Sequence, residues 1–351
     1  MRSFILQKPF GRILIKKNYR QRFGFTNLEF ESLEVCPIAN SKIGGIMSET
    51  QKRIISGFSL AGIFIASFNI DWYYNILLFL FTFFLGMFTL DEFYNLTALS
   101  EKRRPHKKTG MAAGALALFL LYAYSLHLQA KSNPNFKASD SFIQFLVSVD
   151  LSFHLSIGLL LFLLLLLLLW QLIRGEFEGT IYSIGSTLFG ILYVPVTFGH
   201  IFLLNSLPHG NFLIWLVAWS TAMSDTMAYF SGIAFGKTKV GIKASPNKTY
   251  EGYIGGFLGQ LFMTHLFYQI AKAYFDTPQI GILELSLFSF FIYIVGVIGD
   301  LSESALKRDV GVKDSGNKIP GHGGFLDLAD ALMLTIPVSY YFMYISLYVK
   351  S

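Results

Sequence analysis

The chain has 351 residues, of which 53% are hydrophobic and 14% are charged, and its mean hydropathy is +0.50. Soluble globular domains carry about 25% charged residues, so this composition excludes a disordered chain, a collagen-like chain and an ordinary water-soluble enzyme. The single cysteine, Cys36, excludes a disulfide framework and a thiolate metal cluster. The formal charge of +6 would suit nucleic acid, but the position of the charges matters more than their sum. The sequence predicts an all-α, polytopic integral membrane protein.

Nine segments are candidates for membrane-spanning helices, each of which needs ~20 mainly apolar residues because lipid offers the backbone no hydrogen-bond partner. In chain order they are 54–70, 72–90, 110–127, 151–173, 181–204, 212–232, 253–273, 280–298 and 331–349. Only Asp71 separates the first two, which predicts a tight helical hairpin. The sequence has no internal repeat and no paired Gly or Pro interruptions of the kind found in many transporters.

The basic residues predict the orientation of these spans, because loops rich in Lys and Arg stay in the cytoplasm. When Lys52 and Arg53 are placed inside, most loop cations fall inside, whereas the outer loops hold only Lys131 and Lys137. The N-terminus is therefore predicted inside and the C-terminus outside. The positive charge is mainly a signal of topology, although it also suits an anionic lipid or a nucleotide. No nucleic-acid partner is expected.

Residues 1–51 form a polar and basic extension without a segment of spanning length. No apolar stretch of signal-peptide length follows the first charges, so a targeting sequence is not indicated. Met47 is an alternative start site, since MSETQKRIISG would give a short basic tail before the first span. Residues 52–351 are predicted to form the membrane-embedded domain, with motifs at 224–256 and 299–330.

Three acids are predicted at a similar depth near the inner side of the membrane, where ionisable residues are costly and usually functional. Asp225 lies inside the sixth span, Asp300 ends the eighth and Asp330 opens the ninth. Acids from three spans can converge on one cytoplasmic cavity, although a neighbouring hydroxyl could also satisfy Asp225. Asp91 and Glu92 are interpreted as a helix cap or a solvated helix end.

The segment 299–330, GDLSESALKRDVGVKDSGNKIPGHGGFLDLAD, is predicted to be a functional inner loop of about 30 residues. Its carboxylates suit a hard cation such as Mg²⁺, and its basic residues suit phosphate oxygens. Its glycines let the backbone approach a ligand closely. A solvated charged loop is the alternative. The candidate residues are Asp300, Lys307, Arg308, Lys313, Asp314, His322 (for phosphate or loop contact), Gly323, Gly324 and Asp327.

A second inner loop has a matching character in the sequence FGKTKVGIKASPNKTYEGYIGG at 235–256. It is predicted to be an anion clamp, and the alternative is that its lysines only mark the cytoplasmic side. The acid of this segment falls in the first turn of the next helix, where it complements the helix dipole. The candidate residues are Lys237, Ser245, Lys248, Thr249 and Glu251.

These motifs resemble those of the phosphatidate cytidylyltransferase (CDP-diacylglycerol synthase) family. The longest match is SALKRDVGVKDSGNKIPGHGGFLDLAD at 304–330, and SDTMAYFSGIAFGK at 224–237 with SPNKTYEGYIGG at 245–256 is the second. With KRIISG at 52–57, the resemblance reaches nearly the whole chain from about residue 52. One position differs, because Leu328 follows Asp327 where the family usually has an arginine, so one phosphate-binding arginine is in doubt.

The resemblance implies that CTP and phosphatidate react to give CDP-diacylglycerol and pyrophosphate in phospholipid biosynthesis. The implied cofactors are Mg²⁺ and a second, monovalent cation such as K⁺. The implied partners are CTP, phosphatidate and membrane lipids, with a homodimer as one option. The implied location is a bacterial inner membrane, with the active site facing the cytoplasm.

The resemblance also implies roles for individual residues. Asp300 and Asp327 would hold the metal, with Asp314 and Asp225 as further candidate ligands, while Lys307, Arg308 and Lys313 would hold the triphosphate. Two other functions stay open at this point. One is a lipid or polyprenol kinase, and the other is an ion-coupled carrier for an anionic metabolite in which Asp225 and Asp300 bind the cation.

Overall fold

The structure, a computed structural model, describes residues 49–70, 73–132, 136, 141–148, 153–175, 177–274, 276–319 and 323–348. Residues Met47–Ser351 form one compact unit. The extension 1–46 with Cys36, the candidate start at Met47 and the candidate ligand His322 lie outside the described residues. Within the described ranges the secondary structure is helical, and the only β-type pairings are two isolated bridges.

The helices follow one another with short connections. They are α1 (Glu49–Asn69), α2 (Ile76–Leu96), α3 (Lys107–Ser132), α4 (Ser141–Val147), α5 (Phe153–Arg174), α6 (Thr180–Ile191), a π-helical turn (Leu192–Val196), α7 (Thr197–Asn205), α8 (Gly210–Phe235), α9 (Tyr250–Tyr274), α10 (Ile282–Asp309), α11 (Phe325–Ala329) and α12 (Leu332–Tyr348). The π-helical turn contains Pro195, which has no N–H to donate and therefore interrupts the regular α-helical ladder.

Each of the nine predicted spans corresponds to helical structure in the described residues. Six helical segments are long and apolar enough to cross a membrane: Ile76–Leu96, Lys107–Ser132, Ser156–Arg174, Thr180–Asn205, Ile282–Asp309 and Phe325–Leu347. Helices α8 and α9 are long but less apolar, and α1 has a shorter apolar part, Ile55–Asn69. The protein is thus a helical membrane protein with six clear candidate spans, and the count of nine stays a prediction.

The prediction of a 30-residue loop at 299–330 is wrong. Helix α10 continues to Asp309, and α11 covers Phe325–Ala329, so the described residues between these helices are 310–319 and 323–324. The stretch after Gly299 is polar but contains good helix formers (Leu, Glu, Ala, Lys and Arg), and the helix ends just before Gly311, whose φ of +76° favours a glycine. We call the described residues between α10 and α11, 310–319 and 323–324, the 310–324 loop.

Helices α8 and α9 pack closely because α9 presents glycines to α8. A methyl group at Gly256 would lie 2.8 Å from the Cβ of Ala228, and one at Gly259 would lie 2.7 Å from the Cγ of Met227. Small residues at such interfaces allow helices in a membrane to approach closely. Helices α2, α8 and α10 end, and α9 and α12 begin, at one end of the bundle, which we call the site end.

Candidate active site

Three carboxylates converge at the site end, as their predicted depth suggested. Asp225 of α8 and Asp330 before α12 line the same cavity, and Asp300 of α10 lies within electrostatic range of both. Gly299 makes this convergence possible, since a methyl group there would lie 2.7 Å from the backbone oxygen of Asp330. We call Asp225, Asp300 and Asp330 the carboxylate cluster.

Lys248 neutralises part of this negative charge. Its Nζ forms an ion pair with Asp300 and lies 5.6 Å from the centre of the Tyr253 ring. Burial disfavours the charged form of Lys248, but the contact with Asp300 outweighs burial and raises the pKa of Lys248. The loop between α8 and α9 therefore places one cation directly on the carboxylate cluster.

Asp327 is held in a different environment from the carboxylate cluster. One carboxylate oxygen accepts a hydrogen bond from Lys307 Nζ at 2.7 Å. The other accepts hydrogen bonds from the backbone N–H of Ser315 at 2.9 Å, the Ser315 hydroxyl at 2.8 Å and the N–H of Gly324 at 2.8 Å. Asp327 thus fastens the 310–324 loop, at Ser315 and at Gly324, to Lys307 of α10.

Lys307 has two acidic partners instead of an open phosphate site. Its Nζ lies 2.5 Å from Glu303, one helical turn earlier, and 2.7 Å from Asp327. The Lys307 side chain is 13% exposed and that of Glu303 only 1% exposed. Because both neighbours already compensate its charge, Lys307 is placed to hold the 310–324 loop rather than to bind triphosphate in this conformation.

The loop between α8 and α9 is ordered by residues that were predicted to bind an anion. Glu251 accepts hydrogen bonds from the backbone N–H groups of Lys237 at 3.2 Å and Thr238 at 3.1 Å. The hydroxyl of Thr249 accepts the N–H of Gly252 at 3.1 Å, which caps the start of α9. Ser245 lies in a turn, and its backbone carbonyl oxygen accepts a hydrogen bond from the N–H of Lys248 at 3.4 Å. These contacts give Glu251 and Thr249 a structural part in shaping the loop.

The other predicted ligands lie on the two loops or, for Arg308, in the last turn of α10. Lys237, Arg308 and Lys313 have exposed side chains, which leaves these cations accessible at the rim of the site. Arg308 donates a hydrogen bond to the carbonyl oxygen of Val312 at 2.9 Å. Asp314 is also exposed, and within the described part of the chain no contact joins it to the carboxylate cluster. Gly324 donates one of the hydrogen bonds to Asp327, and Gly323 directly precedes it in the chain.

An apolar cavity of about 370 Å³ extends from the carboxylate cluster into the bundle. It follows α8 from Asp225 to Ile214, about 16 Å along a helix that rises 1.5 Å per residue. The remaining wall comes from α1, α2, α7 and residues 328–336, including Leu328. A cavity with acids at one end and apolar walls beyond them suits an amphiphilic ligand.

The carboxylate cluster fits a hard cation in its donor chemistry. Among the described residues, no group of three or more acidic, histidine or cysteine side chains is already arranged around a metal position. Mg²⁺ does not need such a cage, because it usually binds one or two carboxylates together with water and substrate phosphates. Three converging carboxylates with one lysine would leave unbalanced negative charge that a divalent ion compensates.

Sequence reasoning missed three side chains that shape this region. Glu303 carried a usable signal, because it lies four residues before Lys307 on one helix face. Ser315 had no signal, since its part depends on where Asp327 lies in space. Glu92 was interpreted as a cap or a solvated end, but it is 3% exposed and accepts a hydrogen bond from the backbone N–H of Leu326 at 3.1 Å.

The fold and the site define a class: a helical membrane protein with a carboxylate and lysine site at the end of an apolar cavity. The chain belongs to the cytidylyltransferase family, whose model matches residues 51–346. It is 44% identical over 125 residues to a phosphatidate cytidylyltransferase of Thermotoga maritima, covering 36% of this chain and 46% of that protein. It is 36% identical over 176 residues to one of Bacillus subtilis, covering 49% and 62%. It is 42% identical over 138 residues to one of Haemophilus influenzae, covering 39% and 47%. The chain thus spans about half the length of these curated relatives.

Proposed function

We propose that this protein is a phosphatidate cytidylyltransferase, which converts CTP and phosphatidate into CDP-diacylglycerol and pyrophosphate. Membership of the cytidylyltransferase family and the names of the relatives support this activity. The observation that carries it is the position of the carboxylate cluster and Lys248 at the mouth of the apolar cavity. This arrangement suits a reaction between a water-soluble triphosphate and a phosphate on a lipid.

In the proposed reaction, a phosphate oxygen of phosphatidate forms a bond to the α-phosphorus of CTP. The bond between the α-phosphorus and the bridging oxygen breaks, and pyrophosphate leaves with that oxygen. A phosphate monoester is already largely ionised near pH 7, since its second pKa is about 6, so no strong general base is required. Both reactants are anions, and the protein must therefore position them and neutralise their charge.

The residues divide this work. Asp225, Asp300 and Asp330 would hold Mg²⁺, which supplies positive charge to the triphosphate when bound. Lys248 adds a fixed cation beside Asp300, and the exposed lysines of the two loops, with Arg308 at the end of α10, attract the triphosphate. The cavity along α8 accepts one acyl chain of the lipid and so places its phosphate at the cluster.

The proposed metal ligands differ from those predicted from the sequence, because Asp327 and the exposed Asp314 are left out and Asp330 is added. Asp327 was predicted as a metal ligand, but each of its oxygens already accepts hydrogen bonds from the chain. Asp330 faces the cavity beside Asp225 and is the better candidate. We therefore assign Asp327 to loop positioning and Asp330 to the metal. The second, monovalent cation and the homodimer stay predictions.

We further propose nine spans, with the N-terminus and both inner loops in the cytoplasm of a bacterial cell and the C-terminus outside. The positions of the loop lysines support this orientation. It gives CTP access to the site end and lets phosphatidate enter from the membrane.

The proposed function is tested with purified protein in liposomes that contain phosphatidate, with Mg²⁺ and CTP labelled on either the α- or the γ-phosphate. The α-label should move into the lipid and the γ-label into pyrophosphate. Liposomes with diacylglycerol in place of phosphatidate should give no labelled lipid. Transfer of the γ-label to lipid would indicate a kinase, and the absence of any product would leave the carrier as the better explanation.

A further inference from the structure

The inner part of α2 contains a buried acid that the proposed reaction does not use. Glu92 is 3% exposed, and one of its oxygens accepts the N–H of Leu326 at 3.1 Å and lies 3.5 Å from the Ser315 hydroxyl. Its other oxygen is buried without a hydrogen-bond partner among the described residues, and the nearest cation is Lys318 Nζ at 3.8 Å. Burying a carboxylate in this way is costly, so its retention calls for a reason.

The 310–324 loop is shaped around Glu92. A methyl group at Gly316 would lie 3.0 Å from one oxygen of Glu92, and one at Gly324 would collide with the other oxygen. Only residues without a side chain leave this space. The carboxylate therefore fills a cradle made by two glycines of the loop.

Neighbouring residues of α2 hold the same segment. The ring of Phe88, one turn before Glu92, stacks on Phe325 with centroids 5.1 Å apart and planes 18° apart. Lys318 of the loop lies 3.1 Å from Asp91 and 5.7 Å from the centre of the Phe88 ring. Helix α2 thus forms a dock for the 310–324 loop and the start of α11.

We propose that Glu92 is a positioning residue for the cytidylyl transfer. It fixes the 310–324 loop and α11, and through them Asp327 and Asp330, without touching either substrate. The N–H that it accepts belongs to Leu326, which directly precedes Asp327 in the chain. This inference rests on the proposed function, because the transfer is the reaction that the fixed loop would serve.

The test compares Glu92→Ala, Gly316→Ala and the double variant with Leu90→Ala. Leu90 is a fully buried residue of the same helix that packs against α3, so its truncation weakens α2 without touching the loop. In Glu92→Ala, the Mg²⁺ requirement and the KM for CTP should each rise about tenfold or more, as when the partners of metal ligands are removed. Trypsin should also cleave faster after Lys313. Leu90→Ala should lower the apparent Tm but leave KM and loop cleavage unchanged.

The double variant makes the test specific. In the native protein, the methyl group of Gly316→Ala would lie 3.0 Å from an oxygen of Glu92, so this carboxylate must shift by a few tenths of an ångström, whereas in the Glu92→Ala background the added methyl group has space. The increase in KM and in cleavage rate in the double variant should therefore be smaller than the product of the increases in the two single variants.

The outcomes separate this inference from the proposed function. An unchanged cleavage rate after Lys313 in Glu92→Ala would overturn the inference. So would a double variant whose increases in KM and cleavage rate equal the product of those in the single variants. If the native protein makes no CDP-lipid, but Glu92→Ala is cleaved faster and its effect on cleavage is coupled to that of Gly316→Ala, the dock is supported and the proposed transfer is refuted. Faster cleavage with unchanged KM and Mg²⁺ requirement would leave Glu92 a structural residue and overturn its positioning role.

Discussion

Replacing either acid of the pair Asp327 and Asp330 with asparagine should stop turnover, but for different reasons that can be measured separately. Asp327 joins the 310–324 loop to α10 through four hydrogen bonds, one of them to a lysine that is 13% exposed. Asp330 accepts one short-range hydrogen bond, from the N–H of the next residue, Ala331, at 2.6 Å and otherwise faces the other acids and the cavity.

The structure gives an expected size for the difference. Asp327→Asn removes a charge-assisted contact to a buried lysine and turns an NH₂ group toward donors on one side. A hydrogen bond to a charged group contributes about 1.5–3 kcal/mol, and breaking a buried pair costs about 3–5 kcal/mol. Because Glu303 still partners Lys307, we expect a loss of about 3 kcal/mol in the free energy of unfolding. Asp330→Asn removes one of three like charges, so the stability without metal should stay the same or rise.

The assay is the apparent Tm of the detergent-solubilised protein with and without Mg²⁺, together with CDP-lipid formation. A bound ion stabilises the folded state, so Mg²⁺ should raise the Tm of the native protein. Asp327→Asn should lower the Tm but keep a shift with Mg²⁺, whereas Asp330→Asn should keep the Tm and lose the shift. The reverse pattern, with the shift lost only in Asp327→Asn, would refute our assignment and restore the prediction made from the sequence.

Four further predictions concern Lys248, the cavity and the orientation in the membrane. Lys248→Met should lower turnover about tenfold or more, because it removes the fixed cation beside Asp300, and turnover equal to the native protein would contradict this role. The pKa of Lys248 is raised above 10.5, so its ion pair with Asp300 is present below that pH and is lost only as the pH rises through the raised value. The pH profile of turnover should therefore show no Lys248-dependent loss of activity between pH 7 and 9. Ala218→Phe should narrow the cavity and lower the turnover of long-chain phosphatidate more than that of short-chain phosphatidate. The control Ala234→Phe, on the same helix but outside the cavity, should not discriminate between the two lipids. An equal loss of turnover on both lipids in Ala218→Phe would argue against an acyl-chain site. A cysteine at Lys239, in a chain without the native cysteine, should react with an impermeant thiol reagent only after the cells are permeabilised, and labelling of intact cells would refute the orientation.

The sequence predicted where the helices lie better than where they end. Apolar stretches of spanning length identify helices because the bilayer penalises any other backbone conformation. The ends depend on contacts that hydropathy does not contain. Helix α10 continues past the apolar part to Asp309 because Glu303 is buried and pairs with Lys307 one turn later. Helix α2 continues to Leu96 because Glu92 is buried against the 310–324 loop rather than solvated.

The same limit applies to the site. The convergence of Asp225, Asp300 and Asp330 was predictable, since acids at a similar depth in three spans can line one cavity and share a compensating cation. The separation of roles between Asp327 and Asp330 was not predictable, although both belong to one short motif. It depends on the backbone N–H groups of Ser315 and Gly324, which are brought to Asp327 only by the folded loop.

Leu328 shows how one side chain can change meaning once its surroundings are known. From the sequence alone, Leu328 indicates the loss of a phosphate-binding charge, because the family that the chain resembles usually has an arginine at this position. In the structure it lies between Asp327 and Asp330 in the chain and forms part of the cavity wall with the neighbouring alanines, Ala329 and Ala331. An apolar residue there extends the surface available to an acyl chain up to the carboxylate cluster. The charge that an arginine would have supplied must then come from the loops, where Lys248 already contacts the cluster and other cations remain exposed at its rim.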